Sequence, residues 1–269
     1  MTAAPMIFET LKVSHPRAGV VQITMARQNV FNAFDEAMIG ELDTAFTQAA
    51  HDDSVRVIIL AGEGKHFSAG ADLQWMQRSS TASQEWNLAD ARRFAAMLAR
   101  IQSCPKPTVA RIQGSALGGG VGLCCACDLA IAADNAAFSV SEARFGILPA
   151  VISPYLVAAV GRRWAQFLAL TATRIDAAHA LAIGLVHQVS TAEQLDAAVS
   201  ARVTELLVAA PGAQREIKHL FSQLTPGAID PATIELTAQT ISRVRATPEA
   251  RAGFAAFFEK RPAPWVSPP

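Results

Sequence analysis

Gly114-Ser115-Ala116-Leu117-Gly118-Gly119-Gly120-Val121-Gly122 runs straight into the apolar segment Leu123-Cys124-Cys125-Ala126-Cys127, and this stretch decides how the chain is read. A short strand is predicted before it, Thr108 to Gln113, and an apolar strand after it, Leu129 to Ala132. A glycine loop entering a buried helix between two strands is a crossover, the unit of an α/β core. Working outward, Val20 to Met25 and Val55 to Leu60 are β-branched runs of strand length. Between them, Glu36 to Ala50 sets Met38, Leu42, Phe46 and Ala49 at helical spacing. A further helix is predicted over Glu85 to Ser103, stopped by the prolines of Cys104-Pro105-Lys106-Pro107.

From about Ser153 the texture becomes Ala-rich and helical. Patterns over Ala177 to Ile183, Ala192 to Ala210, Gly212 to Leu224, Pro231 to Arg245 and Pro248 to Lys260 follow one another. The last opens Thr247-Pro248-Glu249, a cap residue followed by proline at the first helical position. Ser153 before Pro154 reads the same way. The expected organisation is an α/β core over residues 1–200 and a helical region over 201–269, with Pro262 to Pro269 as an extended tail.

Composition removes several function classes. The chain has 269 residues, with 23 Lys+Arg against 23 Asp+Glu, so no basic field favours nucleic acid. It is 51% hydrophobic, enough for a sizeable core. Yet no apolar run reaches the roughly 18 residues of a spanning helix. The opening Met1-Thr2-Ala3-Ala4-Pro5-Met6 lacks the basic start and apolar run of a signal peptide. A cytoplasmic protein that binds neither nucleic acid nor membrane is expected. Cys104, Cys124, Cys125 and Cys127 lack a second ligand pair and a nearby histidine, so they read as buried free thiols, with no metal.

Chemistry points to two glycine-containing loops. One is Phe67-Ser68-Ala69-Gly70-Ala71-Asp72-Leu73; the other is Gly114 through Gly122. Glycines at a helix start let a ligand approach free N–H donors at the positive helix end. If the first loop added a second N–H, the pair would form an oxyanion hole; a tight turn packed with small residues is the plainer reading. The glycines do not fit the dinucleotide fingerprint, no Gly-Lys-Ser/Thr follows, and no G-x-S-x-G elbow is present.

Taken in order, several stretches together resemble the crotonase superfamily, the enoyl-CoA hydratase/isomerase family. They are Phe31-Asn32-Ala33-Phe34, Phe67 through Leu73, Pro105 through Ala110, Gly114 through Gly120, Cys127 through Ala130, Phe138 through Pro149, Ala182 through Val186 and Ala255 through Arg261. The resemblance implies a spiral of β-β-α units followed by C-terminal helices that build a homotrimer or homohexamer and cover the CoA site. It implies an acyl-CoA substrate and no cofactor, coenzyme A entering as part of the substrate. The N–H groups of Ala71 and Gly119 would form the oxyanion hole, and Glu142 would be the acid/base. Arg27, Ala69, Asp72, Leu73 and Lys260 match positions near CoA or substrate, Lys260 reaching from a neighbouring subunit.

The best-known hydratases of the family place a second glutamate three residues after the oxyanion glycine, where this chain has Gly122. One carboxylate suffices for an isomerase, and it also suffices for hydration if it both activates water and returns the proton. Gly122 and Tyr155, the only tyrosine, are candidates for the acyl pocket. Leu148 through Tyr155 and Leu73-Gln74-Trp75-Met76 are similar to bacterial hydratases acting on methylglutaconyl-CoA or carboxygeranoyl-CoA. That similarity favours hydration of a branched 2-enoyl-CoA; the alternatives are a double-bond isomerase and a catalytically silent CoA-binding member. A second substrate carboxylate would call for a cation such as Arg144 or Arg174.

Overall fold

Strand β3 (Val57–Gly62) is buried at every residue, as expected of an apolar run at the centre of a parallel sheet. The computed structural model describes residues 8–225, 227 and 229–266. β1 (Leu11–Arg17) pairs antiparallel with β2 (Val20–Met25), and β2, β3, β4 (Thr108–Ile112), β6 (Leu129–Ala133) and β9 (Gln188–Ser190) are parallel neighbours in that order. A second sheet holds β5 (Ser115–Leu117), β7 (Ala137–Ser139) and β8 (Ile175–Asp176) in that order.

The helices are α1 (Glu36–His51), α2 (Leu73–Thr81), α3 (Gln84–Gln102), α4 (Gly119–Ala126), α5 (Ser153–Thr171), α6 (Ala177–Ala182), α7 (Leu195–Val208), α8 (Pro211–Gln223), α9 (Pro231–Arg245) and α10 (Pro248–Phe258). None among the described residues is long and apolar enough to cross a membrane.

Strand periodicity divides the core between two faces. Ile58, Leu60, Ala110, Ile112, Ala130 and Ala132 join one cluster with α1, α3, α4 and α5. Val57, Ile59, Val109, Ile131 and Ala133 turn the other way onto Leu195, Val199 and Val203 of α7. The expected division at 200/201 falls inside α7, which packs on the sheet. The helices that leave the sheet begin at α8.

Local signals placed most elements. Helix α3 starts on Ser83, whose side chain accepts from the Trp86 N–H, and α10 starts on Thr247, which accepts from Ala250 N–H. Ser153 departs from expectation: Ile152 is the cap of α5, and Ser153 is its first residue, with Oγ donating to the Ala150 carbonyl at 2.8 Å. The part of the expected tail at 267–269 lies outside the described residues.

Candidate active site

The site forms where three chain segments meet beyond the carboxyl ends of β2, β3 and β4. Ser68 bridges to Ala116 of β5: its N–H donates to the Ser115 carbonyl and its carbonyl accepts from Leu117 N–H, both at 3.0 Å. Phe34 bridges to Ala71, with Phe34 N–H donating to Gly70 O at 2.8 Å and Asp72 N–H to Phe34 O at 3.0 Å. Gly70 lies so close to the second loop that a Cβ there would sit 2.6 Å from the Leu117 carbonyl oxygen and 3.7 Å from the Gly119 nitrogen. Its φ of +86° adds a backbone reason for glycine. Among the described residues, the Ala71 and Gly119 amides donate to no acceptor of the protein. Two free donors therefore converge from neighbouring loops, the arrangement that stabilises a developing oxyanion.

Parallel pairing supplies the carboxylate. Leu117 pairs with Ser139, and Gly118 N–H donates to the Ser139 carbonyl at 2.8 Å. The chains leaving β5 and β7 therefore run side by side, one into Gly118 and the other into Glu142. A Cβ on Gly118 would lie 3.2 Å from Glu142 Oε1, and Gly118 has φ +50°. Oε2 of Glu142 is buried without a hydrogen-bond partner. Burial pushes the Glu142 carboxyl above the ordinary carboxylate range, opposed in part by backbone N–H groups of Glu142 and Ser141. A carboxylate so tuned is suited to taking and returning a proton.

The position of the second family glutamate is filled as well as vacant. A Cβ on Gly122 would stand 2.3 Å from Ile152 Cγ2, with Leu98 Cδ1 at 3.6 Å. Gly122 is thus sealed behind Ile152. Ile152 lines the neighbouring cavity of about 300 Å³, whereas neither Gly122 nor Tyr155 does. Tyr155 packs half-buried against the core, on the next turn of chain after the Ile152 wall. The cavity is bounded by Phe34, Ala71 and Gly119 near the paired amides, by Ile147 through Ile152 on one wall, and by α2 and α3 on the other.

The remaining expected residues divide. Asp72 caps α2, its Oδ1 accepting from Gln74 N–H at 2.8 Å and Trp75 N–H at 3.3 Å. Arg27 donates to Asp72 Oδ2 at 3.0 Å and to the Ala33 carbonyl at 2.7 Å, and pairs with Asp35 at 3.1 Å. Its guanidinium therefore ties the two strands of the Phe34–Ala71 bridge together. Ala69 is half-buried, donating its N–H to Phe31 O at 2.9 Å, and Leu73 is 81% exposed at the mouth of the first loop. Lys260 does not join this site within one chain. It follows α10, whose neighbour Trp265 bonds to Val208 and, through its carbonyl, to Arg56, just before the amino end of β3. Among the described residues, none of α8, α9 or α10 lines the cavity. Arg144 donates to Ala172 O and Arg174 to Ser115 Oγ, and neither lines the cavity.

Three polar contributors escaped the sequence reading: Ser79, Asn87 and Asp90 line the cavity, beside Trp75 of the Leu73-Gln74-Trp75-Met76 stretch. One signal was available. Asp90 lies four residues before Phe94 and so shares the stripe of Phe94, Leu98 and Ile101, all buried. A carboxylate on an apolar stripe is a departure that asks for a reason.

The site and fold match known proteins. Residues 15–268 match the enoyl-CoA hydratase/isomerase family. A crystal structure of an enoyl-CoA hydratase from Shewanella pealeana superposes with TM-score 0.93 at 39% identity, covering 96% of each chain. AtuE of Pseudomonas aeruginosa superposes with TM-score 0.91 at 36% identity, over 96% of this chain and 100% of that one. The enoyl-CoA hydratase ACTT6 of Alternaria alternata is 33% identical over 76% of this chain and 67% of its own. The chain is a crotonase-fold protein. It belongs to the enoyl-CoA hydratase/isomerase family.

Proposed function

We propose that this protein hydrates a 2-enoyl-CoA with Glu142 as its acid/base. The observation that carries the reading is the Glu142 carboxylate, unpartnered at Oε2 and set against Gly118 beside the free amides of Ala71 and Gly119. The thioester oxygen binds between those amides, so electrons displaced from the double bond are held as an enolate. Glu142 removes a proton from water as the oxygen bonds to the β carbon, then delivers that proton to the α carbon. Atoms balance as one water added. No second acid is needed from Gly122.

The same geometry supports a second reading. A single carboxylate beside an enolate site moves a proton between α and γ carbons, which is isomerisation. Mass spectrometry of products from 2-enoyl- and 3-enoyl-CoAs separates the two. A gain of one water, lost in Glu142→Gln, is the expected result. Conversion at constant mass would replace hydratase with isomerase, and no turnover of either kind would leave a silent CoA-binding protein.

Similarity to hydratases of branched-chain breakdown extends the proposal to a branched acyl group of the methylglutaconyl type. Among the described residues no lysine or arginine lines the cavity, so a substrate carboxylate would be held by neutral groups or by a neighbouring subunit. A homotrimer or homohexamer is part of this reading. It is supported by exposed apolar side chains on α5, α8 and α10, including Leu170 at 73%, Phe221 at 66%, and Phe257 and Phe258 at 77% and 76%. In such an assembly Lys260 and the C-terminal helices would serve a neighbour's CoA site. Light scattering reads the assembly; a monomer at micromolar concentration would remove this part.

A further inference from the structure

We infer that Asp90 is a second catalytic carboxylate, which accepts a hydrogen bond from the attacking water and aims it at the β carbon. The inference rests on the hydration reading above and names a group that the reading lacks. Among the described residues, two carboxylates line the cavity, Glu142 and Asp90. Asp90 is 5% exposed, and among the described residues only its Oδ1 is bonded, to Arg93 Nη2 at 2.9 Å. Oδ2 has no protein donor and is not among the sealed atoms of the interior, so a water in the cavity can reach it. Aspartate is also a poor residue for the interior of a helix.

Its position along α3 is tied to the chemistry. Phe94, one helical turn further on, packs so closely on the oxyanion loop that a Cβ on Gly119 would lie 3.0 Å from Phe94 Cζ. Asp90 therefore stands one turn out from the thioester end of the cavity, along the wall that the acyl group follows. Phe34, Phe94, Ala91 and the wall from Ile147 to Ile152 line much of that cavity with apolar side chains. Ser79 Oγ–H donates to the Met76 carbonyl and Asn87 Nδ2 to the Ser79 carbonyl. Among the described residues, Asp90 Oδ2 is left without a protein donor. In the reaction one water O–H proton passes to Glu142 while the other stays on oxygen, hydrogen-bonded to Asp90. Asp90 takes no proton in this step, and the product hydroxyl keeps that proton.

The test separates water addition from proton movement. α-Proton exchange of butyryl-CoA in D₂O requires the amides and Glu142 but no attacking water. In Asp90→Asn, hydration of 2-enoyl-CoAs should fall about 100-fold in kcat. KM should hold, and exchange should fall less than about threefold. Asp90→Glu should recover part of the hydration. If Asp90→Asn does not fold, Asp90→Ser is read in the same way. Equal loss of exchange and hydration would reduce Asp90 to a structural residue, and unchanged hydration would remove its role altogether; either overturns the inference while hydration by the wild type stands. A wild type that exchanges the proton but hydrates no enoyl-CoA would overturn the hydration reading and this inference together.

Discussion

Gly118 and Gly122 stand one helical turn apart at the start of α4 and face opposite chemistries. Against Gly118 lies a carboxylate, with Glu142 Oε1 3.2 Å from where a Cβ would be. Against Gly122 lies an alkyl group, with Ile152 Cγ2 at 2.3 Å. Both glycines leave room for a neighbour. One neighbour arrives through the parallel register of β5 and β7, the other through the turn that leads into α5. Identical residues thus take opposite roles because the segments packed on them differ. In the proposed reaction the first position serves proton transfer, while Ile152 occupies the second.

The largest effect should come from the Gly118 side. Glu142→Gln keeps shape and removes the proton carrier, so kcat should drop by about 10²- to 10⁴-fold with acyl-CoA binding intact. Loss of binding along with kcat would show that Glu142 is mainly structural. Next comes the amide between the two positions. Gly119→Ala would put a methyl 2.2 Å from Phe34 Cζ. The displaced donor should cost about 10²- to 10³-fold in kcat. Steady-state kinetics on soluble, folded protein reads it, and an unimpaired variant would break the oxyanion assignment.

The Gly122 side predicts stability rather than rate. Gly122→Glu should cost about 1–3 kcal/mol or more, because the side chain meets Ile152 in a packed core. Pairing it with Ile152→Ala should restore part of that loss in denaturant melts. A stable, faster single Gly122→Glu variant would mean that the wall is not closed. Removing the tie of the bridge, Arg27→Met, leaves the buried Asp72 without its cation and should cost about 1–3 kcal/mol.

The pH dependence sharpens the same contrast. Burial raises the folded carboxyl of Glu142, so the folded chain holds that proton more tightly than the unfolded one. Its contribution to stability is full below the ordinary carboxylate value and is lost as pH rises through the raised value. Glu142→Gln should therefore be more stable than wild type at neutral pH, with the gap closing on acidification. The acid limb of kcat/KM should lie above the ordinary carboxylate range; a limb at the unperturbed position would contradict the burial argument.

Much of this was legible in local sequence. Apolar and β-branched runs of strand length marked β2, β3, β4 and β6; Thr247-Pro248 marked the start of α10; and the glycines of residues 114–122 marked the close approach that now places Gly119 under Phe34. Short strands were harder to read. β5, β7 and β8 are too brief for a periodic signal and exist because they pair with one another. Arg27 has no local mark of its role, since its partners Asp72 and Asp35 are brought to it by the bridge between Phe34 and Ala71.

The sequence by itself determined the α/β class, the two glycine loops, the single glutamate after β7 and the absence of one at position 122, because these depend on residue type and short spacing. Tertiary structure alone decided that Ile152 seals Gly122, that Tyr155 stays off the cavity, that Asp90 lines it, and that Lys260 lies away from its own chain's site. Those outcomes depend on strand register and helix packing between distant segments, and no spacing along the chain encodes which side chain a register brings opposite another.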